Sequence, residues 1–520
     1  MMSPGNRQDH PKQTQSSGAG NTPPNIILIT LDAINYGLFV SNLENLPHMR
    51  ELKDNSVFFE NAFSIGPSTP FSFPGIIGGI YPYHFGIGID KNIETIDGIL
   101  KDYGYHTAFI NESNSVISPF FGYCKNIDYQ QHFLNLSHAE ADRKLEDTFL
   151  KRRDDKIPED HWKQAPLIIE RLYRKLPSRR IKNCARFLYS IFKFPRFYLT
   201  KNTESFQQRR KLYHQFRSEI LRFINERFES PQFLWIHTII NHLPYFPPED
   251  SDKFSVREIN YLNYRALSGP VTRRLCEKLK LLYIESLKRT DELVGDVIGA
   301  LRDNDMLDNT ILVITSDHGE EFMEEGYFGH EPESSSDGVL RVPLMFHCPS
   351  IFRNKSISTP VSTIDIFPTV CDLLGLRVPN TNRGVSLKAT LLGESENRGY
   401  DQRFRQRAFF SEAWTRGGLL DRKPGHWSQR KIFTVRKGGH KLKVVQQHKG
   451  KDKITESLDL VDWVNNERLD VKSSGTVVEE LKTLLHRHIH EGEVFAAEIR
   501  CKTEKQRIKK ALGRLVNRQP

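Results

Sequence analysis

Three short segments of the chain combine residue types that can bind a metal ion or attack an ester. The first is residues 315–321, TSDHGEE, which follows an apolar run and places Asp317 beside His318. A carboxylate and an imidazole at a strand end can share one divalent cation, although an aspartate there can equally start a turn or cap a helix. The second is Asp32, which follows the apolar residues 26–30 and allows the same two interpretations.

The third segment is residues 66–82, GPSTPFSFPGIIGGIYP, in which hydroxyl side chains precede an apolar, helix-like stretch. The free N–H groups and the dipole at a helix N-terminus favour an anion. A hydroxyl that binds a metal ion loses its proton more easily and becomes a usable nucleophile. For Ser68 and Ser72 we prefer the simpler interpretation, in which they cap the helix.

The elements that must position these side chains are short apolar runs that end in polar residues. Such runs of Ile, Val and Leu are typical of strands buried on both faces, and helical stretches lie between them. The predicted strands are residues 26–30, 106–110, 233–240, 311–315 and 342–346, and residues 276–302 read as an amphipathic helix. We therefore predict an α/β fold with a mostly parallel central sheet flanked by helices, which gathers ligands at the carboxyl ends of its strands.

Composition shifts divide the 520 residues into four predicted parts. Residues 1–24 are polar and are expected to be a disordered segment. A catalytic domain is predicted for residues 25–396, with a basic helical insertion at about 134–230, whose aromatic piece at 191–198 suits core, lid or membrane surface. A small antiparallel-sheet subdomain is predicted for 397–475 and a basic helical tail for 476–520.

The net charge of +10 and the pI near 9.1 indicate an anionic partner. No nucleic-acid-binding motif accompanies the charge, so nucleic acid is not expected. The basic tail suits a solvated helix face or a peripheral membrane contact. The sequence shows neither a signal peptide nor an apolar run long enough to span a membrane, and its six cysteines are scattered; we therefore expect a cytoplasmic protein with reduced thiols.

The order and the residues of these motifs resemble those of the sulfatase-like family of the alkaline phosphatase superfamily. The resemblance implies an alkaline-phosphatase-like core with a small C-terminal antiparallel-sheet subdomain, and it spans roughly residues 25 to 470. The matching segments are residues 25–33, 315–320, 329–330, 340–344, 362–369, 383–387, 437–442 and 458–460.

Carried over position by position, the resemblance implies a role for each candidate site residue. It makes Asp32, Asp317 and His318 ligands of a divalent metal ion, which is calcium, manganese or zinc. It puts Thr69 at the nucleophile position. His242 resembles a substrate-binding or leaving-group histidine, and His330 falls where many members have a lysine that binds the substrate anion. The other histidines considered, His237, His347 and His440, are interpreted as structural.

Four departures from the family pattern bear on the chemistry. The nucleophile position holds Thr69, which cannot be converted to formylglycine as the cysteine or serine of true sulfatases is. The usual arginine is Phe73, the second aspartate of the usual pair is Ala33, and the usual lysine after the third strand is Glu112.

A threonine there resembles the superfamily's phosphate-ester hydrolases and phospho-headgroup transferases. Three hypotheses follow. The first is a hydrolase of anionic phosphate or sulfate esters, and the second is a phospho-headgroup transferase acting on a glycan or lipid. The third is a binding protein that has kept the fold without catalysis.

Overall fold

The computed structural model describes residues 23–84, 86, 88–133, 204–226, 228–268, 270–394, 406–415, 430–449 and 453–516. The predicted disordered segment up to residue 22, most of the predicted insertion (134–203) and its aromatic piece at 191–198 lie outside these residues. The domain bounds drawn from composition therefore stay predictions.

The strands are numbered in chain order and form three sheets. They are β1 (Asn25–Leu31), β2 (Val57–Phe63), β3 (His106–Asn111), β4 (Tyr129–His132), β5 (Gln232–Thr238), β6 (Thr310–Ser316), β7 (Glu321–Phe322), β8 (Phe328–Gly329), β9 (Arg341–His347), β10 (Lys355–Ile357), β11 (Val361–Ser362), β12 (Phe409–Thr415), β13 (Arg430–Lys437), β14 (His440–Lys449), β15 (Lys453–Asp462) and β16 (Glu467–Leu469).

The α-helices of the described residues pack on the faces of the central sheet or against the C-terminal sheet. They are α1 (Tyr36–Ser41), α2 (Pro47–Asp54), α3 (Thr69–Gly78), α4 (Ile96–Asp102), α5 (Glu204–Asn225), α6 (Val256–Ser268), α7 (Arg273–Asp303), α8 (Asp337–Leu340), α9 (Ile366–Leu373), α10 (Lys388–Leu392) and α11 (Gly475–Val516). None of them is long and apolar enough to cross a membrane.

The central sheet has nine strands in the order β10-β2-β9-β6-β1-β5-β3-β4, with β11 also paired to β2. All of its pairings are parallel except those of β9, which runs antiparallel to β2 and to β6. The five strands predicted from apolar runs are all present, and the prediction of a mostly parallel α/β core is confirmed. Strand β1 lies between β5 and β6, at the centre of the sheet.

Burial on both faces explains why the central strands are continuously apolar. Alternate side chains of β1 point to opposite faces, so Ile26 and Leu28 join one apolar cluster while Ile27 and Ile29 join the other. The predicted amphipathic helix is α7, which covers the second face through residues such as Leu279 and Val297.

A five-stranded antiparallel sheet, β12-β13-β14-β15-β16, forms the C-terminal subdomain, as predicted. Its first strand begins at Phe409. Helix α11 packs on it through Val478, Leu481 and Leu485.

Two glycines fix the start and end of helix α3. Gly66 lies in close contact with Phe71. A Cβ added at Gly66 would come within 2.3 Å of the Phe71 Cβ and 2.7 Å of its carbonyl carbon. Gly79 ends the helix in the left-handed conformation, with φ of 63°, and its N–H caps the carbonyl groups of Gly75 and Pro74. The position of Thr69, the first residue of α3, therefore depends on a turn with no room for a side chain at its start.

We expect Gly66→Ala to lower the free energy of unfolding by about 1–3 kcal/mol, the range for overpacking a close-packed interior. The reason is that the new methyl group would meet the backbone of residue 71, which cannot move without shifting α3. Urea denaturation followed by circular dichroism would measure the change.

Gly299→Ala in helix α7 is the matched control, because a Cβ there meets nothing within 4 Å. Removing a helix glycine should stabilise the protein by roughly 0.5–1 kcal/mol. Equal effects of the two substitutions would contradict the steric role of Gly66.

Candidate functional site

The ends of two neighbouring strands bring together the three predicted metal ligands. Strands β1 and β6 pair in parallel with Leu31 opposite Ser316, so Asp32 and Asp317 leave the same edge of the sheet side by side. Asp317 and His318 are fully buried and Asp32 is 1% exposed. Ligand atoms of Asp32, Asp317 and His318 all lie within 4.8 Å of one another.

The hydrogen bonds of His318 show which of its ring nitrogens faces the carboxylates. Its Nδ1 lies 2.9 Å from the carbonyl oxygen of Gly319, which can only accept, so Nδ1 carries the proton and Nε2 presents a lone pair. Nε2 is 3.3 Å from Asp32 Oδ1 and 3.5 Å from Asp317 Oδ2. Neither carboxylate oxygen has a hydrogen-bond donor among the described residues. Three electron-rich atoms therefore converge in a buried space.

The electrostatics of the cluster show that its buried negative charge is costly without a compensating positive charge. Burial, with a contribution from His330, lowers the pKa of His318 to about 3, so the imidazole stays neutral. Burial and the charge of Asp32 raise the pKa of Asp317 well above its usual value. Although burial alone would raise it, the pKa of Asp32 is lowered, chiefly by His242 and by a hydrogen bond from His237.

Two buried carboxylates and a neutral imidazole are a donor set that divalent metal ions accept. The Nδ1–H bond to a backbone carbonyl is also the usual way in which a metal-binding histidine is oriented. The residues present therefore fit the divalent cation that the sequence predicted, with Asp32, Asp317 and His318 as its ligands.

The hydroxyl of Thr69 lies directly beside this cluster. Its Oγ1 is 3.3 Å from Asp32 Oδ2 and 3.3 Å from His318 Nε2. As the first residue of α3, Thr69 also stands at the positive end of the helix. Ser68 is the N-cap residue, as the sequence indicated, but its side chain makes no capping hydrogen bond.

The two remaining predicted residues, His242 and His330, lie together beside the cluster. Their rings are 4.8 Å apart, and the ring of His330 is 4.5 Å from that of His318. His242 Nδ1 is 2.7 Å from the carbonyl oxygen of Leu243, and His330 Nδ1 is 3.4 Å from Glu320 Oε2. Burial alone would lower the pKa of His330, but the Glu320 carboxylate raises it above its ordinary value. In both rings Nε2 is left to face a ligand.

The loop that carries His242 is fastened by an arginine from helix α5. Arg209 donates through Nη2 to the carbonyl oxygen of Ile239, at 2.9 Å, and through Nη1 to that of Pro244. Its guanidinium also lies 4.8 Å from the ring centroid of Phe246. These contacts hold both ends of the loop around His242.

Two departures from the family pattern, Phe73 and Glu112, have a structural explanation, whereas the third, Ala33, has none. Phe73 is fully buried, with its ring centroid 5.1 Å from that of His237 and 5.5 Å from that of Trp235, so an apolar side chain fills the space below the site. Glu112 accepts hydrogen bonds from Thr238 Oγ1 at 2.6 Å and Ile239 N at 2.8 Å, which ties the ends of β3 and β5 together. Ala33 adopts a left-handed conformation with φ of 64°, which aspartate tolerates better than alanine does.

Sequence reasoning missed two residues of the site, Asn114 and His237. The Nδ2 atom of Asn114 lies 3.2 Å from Asp32 Oδ2 and 3.5 Å from Thr69 Oγ1. His237, interpreted from sequence as structural, has its Nε2 3.5 Å from Asp32 Oδ2. The available signal was position: His237 lies near the end of β5, and Asn114 follows β3 within the same polar run as Glu112.

Comparison with known proteins gives a family match over most of the described core. A family model described as Sulfatase matches residues 24–376. Arylsulfatase K of Canis lupus familiaris is 24% identical over 388 residues, which are 71% of this chain and 67% of that protein. Arylsulfatase K of Xenopus laevis is 24% identical over 409 residues, 75% of this chain and 70% of that protein.

Solved structures show the same fold at low sequence identity. The phosphonate monoester hydrolase of Agrobacterium radiobacter superposes with a TM-score of 0.61 at 16% identity, covering 90% of this chain and 96% of that one. A 2-O GAG sulfatase superposes with a TM-score of 0.56 at 16% identity, covering 91% and 93%. The prediction of an alkaline-phosphatase-like scaffold is thereby confirmed.

We expect Asp317→Asn to weaken divalent-metal binding by more than about 10–100-fold. Substitution of a residue that only hydrogen-bonds to a metal ligand already costs that much. The substitution keeps the shape of the side chain but removes one of the two negative charges in the cluster. Elemental analysis after gel filtration, and the shift in Tm on adding manganese, zinc or calcium, would measure the loss.

Glu331→Gln is the control, because Glu331 is an exposed carboxylate beside His330 and outside the cluster. Its metal content should equal that of the unchanged protein. Full metal content in Asp317→Asn would remove Asp317 from the ligand set.

Proposed function

Because the chain belongs to the sulfatase family, we propose that it is a metal-dependent hydrolase of phosphoric or sulfuric esters with Thr69 as its nucleophile. The observation that carries the proposal is the position of Thr69 Oγ1, 3.3 Å from both Asp32 Oδ2 and His318 Nε2. The relatives are named arylsulfatases, and the solved structures include phosphonate monoester hydrolases. These names support a substrate of this general ester class.

The donor set bears on which cation is bound. Calcium prefers six to eight oxygen ligands, whereas imidazole is a common ligand of zinc and carboxylate suits manganese. The neutral imidazole of His318 therefore favours zinc or manganese over calcium. A cation held by Asp32, Asp317 and His318 would supply positive charge to the Thr69 oxygen and to the oxygens of the ester.

The chain's own residues then divide the reaction into two steps. In the first, Thr69 Oγ1 forms a bond to the phosphorus or sulfur atom while the bond from that atom to the leaving oxygen breaks. Thr69 gives up one proton and the leaving oxygen gains one. In the second, a water oxygen attacks the same atom, the bond to Thr69 breaks, and Thr69 regains its proton.

His242 and His330 are the side chains best placed to give a proton to the leaving oxygen. The Nδ1 atom of each ring faces a fixed oxygen, of Leu243 and of Glu320 respectively, which leaves Nε2 available to a ligand. The ring of His330 is 4.5 Å from that of His318 and 4.8 Å from that of His242.

Threonine at the nucleophile position favours phosphorus over sulfur. The chain cannot form the formylglycine that the resemblance associates with sulfate esters, so the second step must break a bond between Thr69 and the central atom. A glycan or a lipid headgroup is the proposed carrier of the ester, because the sequence is basic and the neighbours include a GAG sulfatase.

Thr69→Ala should reduce turnover at least roughly a thousandfold, by precedent with other deleted nucleophiles, while leaving the metal content unchanged. Thr69→Ser, which keeps the hydroxyl, should retain part of the activity. Turnover of aryl phosphate, aryl sulfate and phosphodiester substrates with manganese, zinc or calcium would be measured beside elemental analysis.

Undiminished turnover in metal-loaded Thr69→Ala would remove Thr69 from the mechanism. Faster product release on adding an acceptor alcohol would favour a transferase. No turnover of any substrate by the unchanged, metal-loaded protein would favour a binding protein.

His242→Ala and His330→Ala should affect leaving groups unequally, because a proton donor matters only when the departing oxygen is basic. For the residue that donates the proton, we expect a loss of about 10²–10⁴-fold with an alkyl ester and little loss with a 4-nitrophenyl ester. Comparison of kcat for the two esters would measure this. A residue whose loss is equal for both esters binds the substrate and does not act as the acid.

A further inference from the structure

Asn114 is held in place by a tight turn at the carboxyl end of β3. The side chain of Asn111, the last residue of that strand, bonds twice to the backbone of Asn114: Oδ1 accepts from its N–H at 3.0 Å and Nδ2 donates to its carbonyl oxygen at 2.7 Å. This turn is locked from both sides, so the direction of the Asn114 side chain is set before any ligand arrives.

The hydrogen bonds also identify which atom of the Asn114 amide faces the site. The N–H of Val116 donates to Asn114 Oδ1 at 3.0 Å, so this atom is the oxygen and Nδ2 is the atom that points at the metal-ligand cluster. Nδ2 lies 3.2 Å from Asp32 Oδ2, 3.3 Å from His237 Nε2 and 3.5 Å from Thr69 Oγ1.

The two N–H groups of the Asn114 amide have Asp32 and Thr69 as their acceptors. Thr30 Oγ1 lies 3.0 Å from His237 Nδ1 and can donate its proton there, which leaves the imidazole proton on Nε2, 3.5 Å from Asp32 Oδ2. His237 then takes neither proton of the Asn114 amide, and the second N–H is available to Thr69 Oγ1.

We propose that Asn114 is a catalytic residue whose amide N–H donates to the Thr69 oxygen and stabilises the negative charge that develops there. The proposal rests on the function proposed above, with Thr69 as the nucleophile. An amide hydrogen bond to a charged oxygen is stronger than one to a hydroxyl, so the contact at 3.5 Å strengthens as the charge appears. Such a fixed, neutral dipole needs no rearrangement during the reaction.

The hydrogen bond from Asn114 to the Thr69 oxygen lowers the barrier of the second step more than that of the first. In the first step the Thr69 oxygen loses negative charge as it bonds to the central atom. In the second step that bond breaks and the oxygen becomes a leaving group, which gains negative charge. Loss of the Asn114 donor should therefore slow release of the covalent ester more than its formation.

The experiment is pre-steady-state kinetics with a 4-nitrophenyl ester that the metal-loaded full-length protein turns over. The initial burst reports formation of the ester on Thr69, and the slow phase together with intact-protein mass reports its release. For Asn114→Ala we expect release to slow by about 10²–10³-fold, the cost of removing one oxyanion donor, with the modified protein accumulating in the steady state.

Asn114→Asp separates the catalytic role from a structural one. Aspartate keeps an oxygen for the N–H of Val116 and so preserves the turn, but it puts a carboxylate where the donor was. We expect its release step to be slower than that of Asn114→Ala, at equal metal content. A purely structural role would give the reverse order, with aspartate nearest to the unchanged protein.

Ser113→Ala, in the same turn, is the control and should release the ester at the normal rate. Two results would overturn the proposal without affecting the role of Thr69. One is a normal rate of ester release in Asn114→Ala, and the other is faster release in Asn114→Asp than in Asn114→Ala. If the unchanged protein turns over the ester without any mass added to Thr69, the nucleophile assignment is wrong and the role of Asn114 is overturned with it.

Discussion

The repulsion among three buried, electron-rich atoms is the constraint on which the site depends. Asp32, Asp317 and His318 are brought together by the parallel pairing of β1 and β6, and the sheet holds them there at the expense of their solvation. A bound cation would compensate for this cost. The strands, the turn before α3 and the loops that carry His242 and His330 are all arranged around that one point.

The fold was largely predictable from sequence because burial on both faces leaves a strong pattern. Runs such as residues 26–30 and 311–315 must be apolar throughout, and their polar ends mark the edge where ligands gather. The antiparallel direction of β9 was not predictable, since strand direction leaves no mark on the composition of a buried strand. The bounds of the insertion and of the basic tail remain predictions.

The site was predictable where residue type is unusual and not where it is ordinary. An aspartate beside a histidine after a buried strand stands out, as does a hydroxyl in a Pro/Gly-rich turn. Asn114 has no such signal, because asparagine in a turn is common and its importance comes from a single hydrogen bond at Val116 that orients its amide. His237 was interpreted as structural because a histidine within an apolar strand usually is, whereas here its Nε2 faces Asp32.

Helix α5 has two separate roles, because its Arg209 anchors the loop that carries His242. Helix α5 packs against α7, and it also fixes both ends of the loop that carries His242. If His242 takes the role proposed for it, sequence drift at position 209 is constrained by that role as well as by folding. Evolution of this helix would then have to keep the arginine in register with the loop.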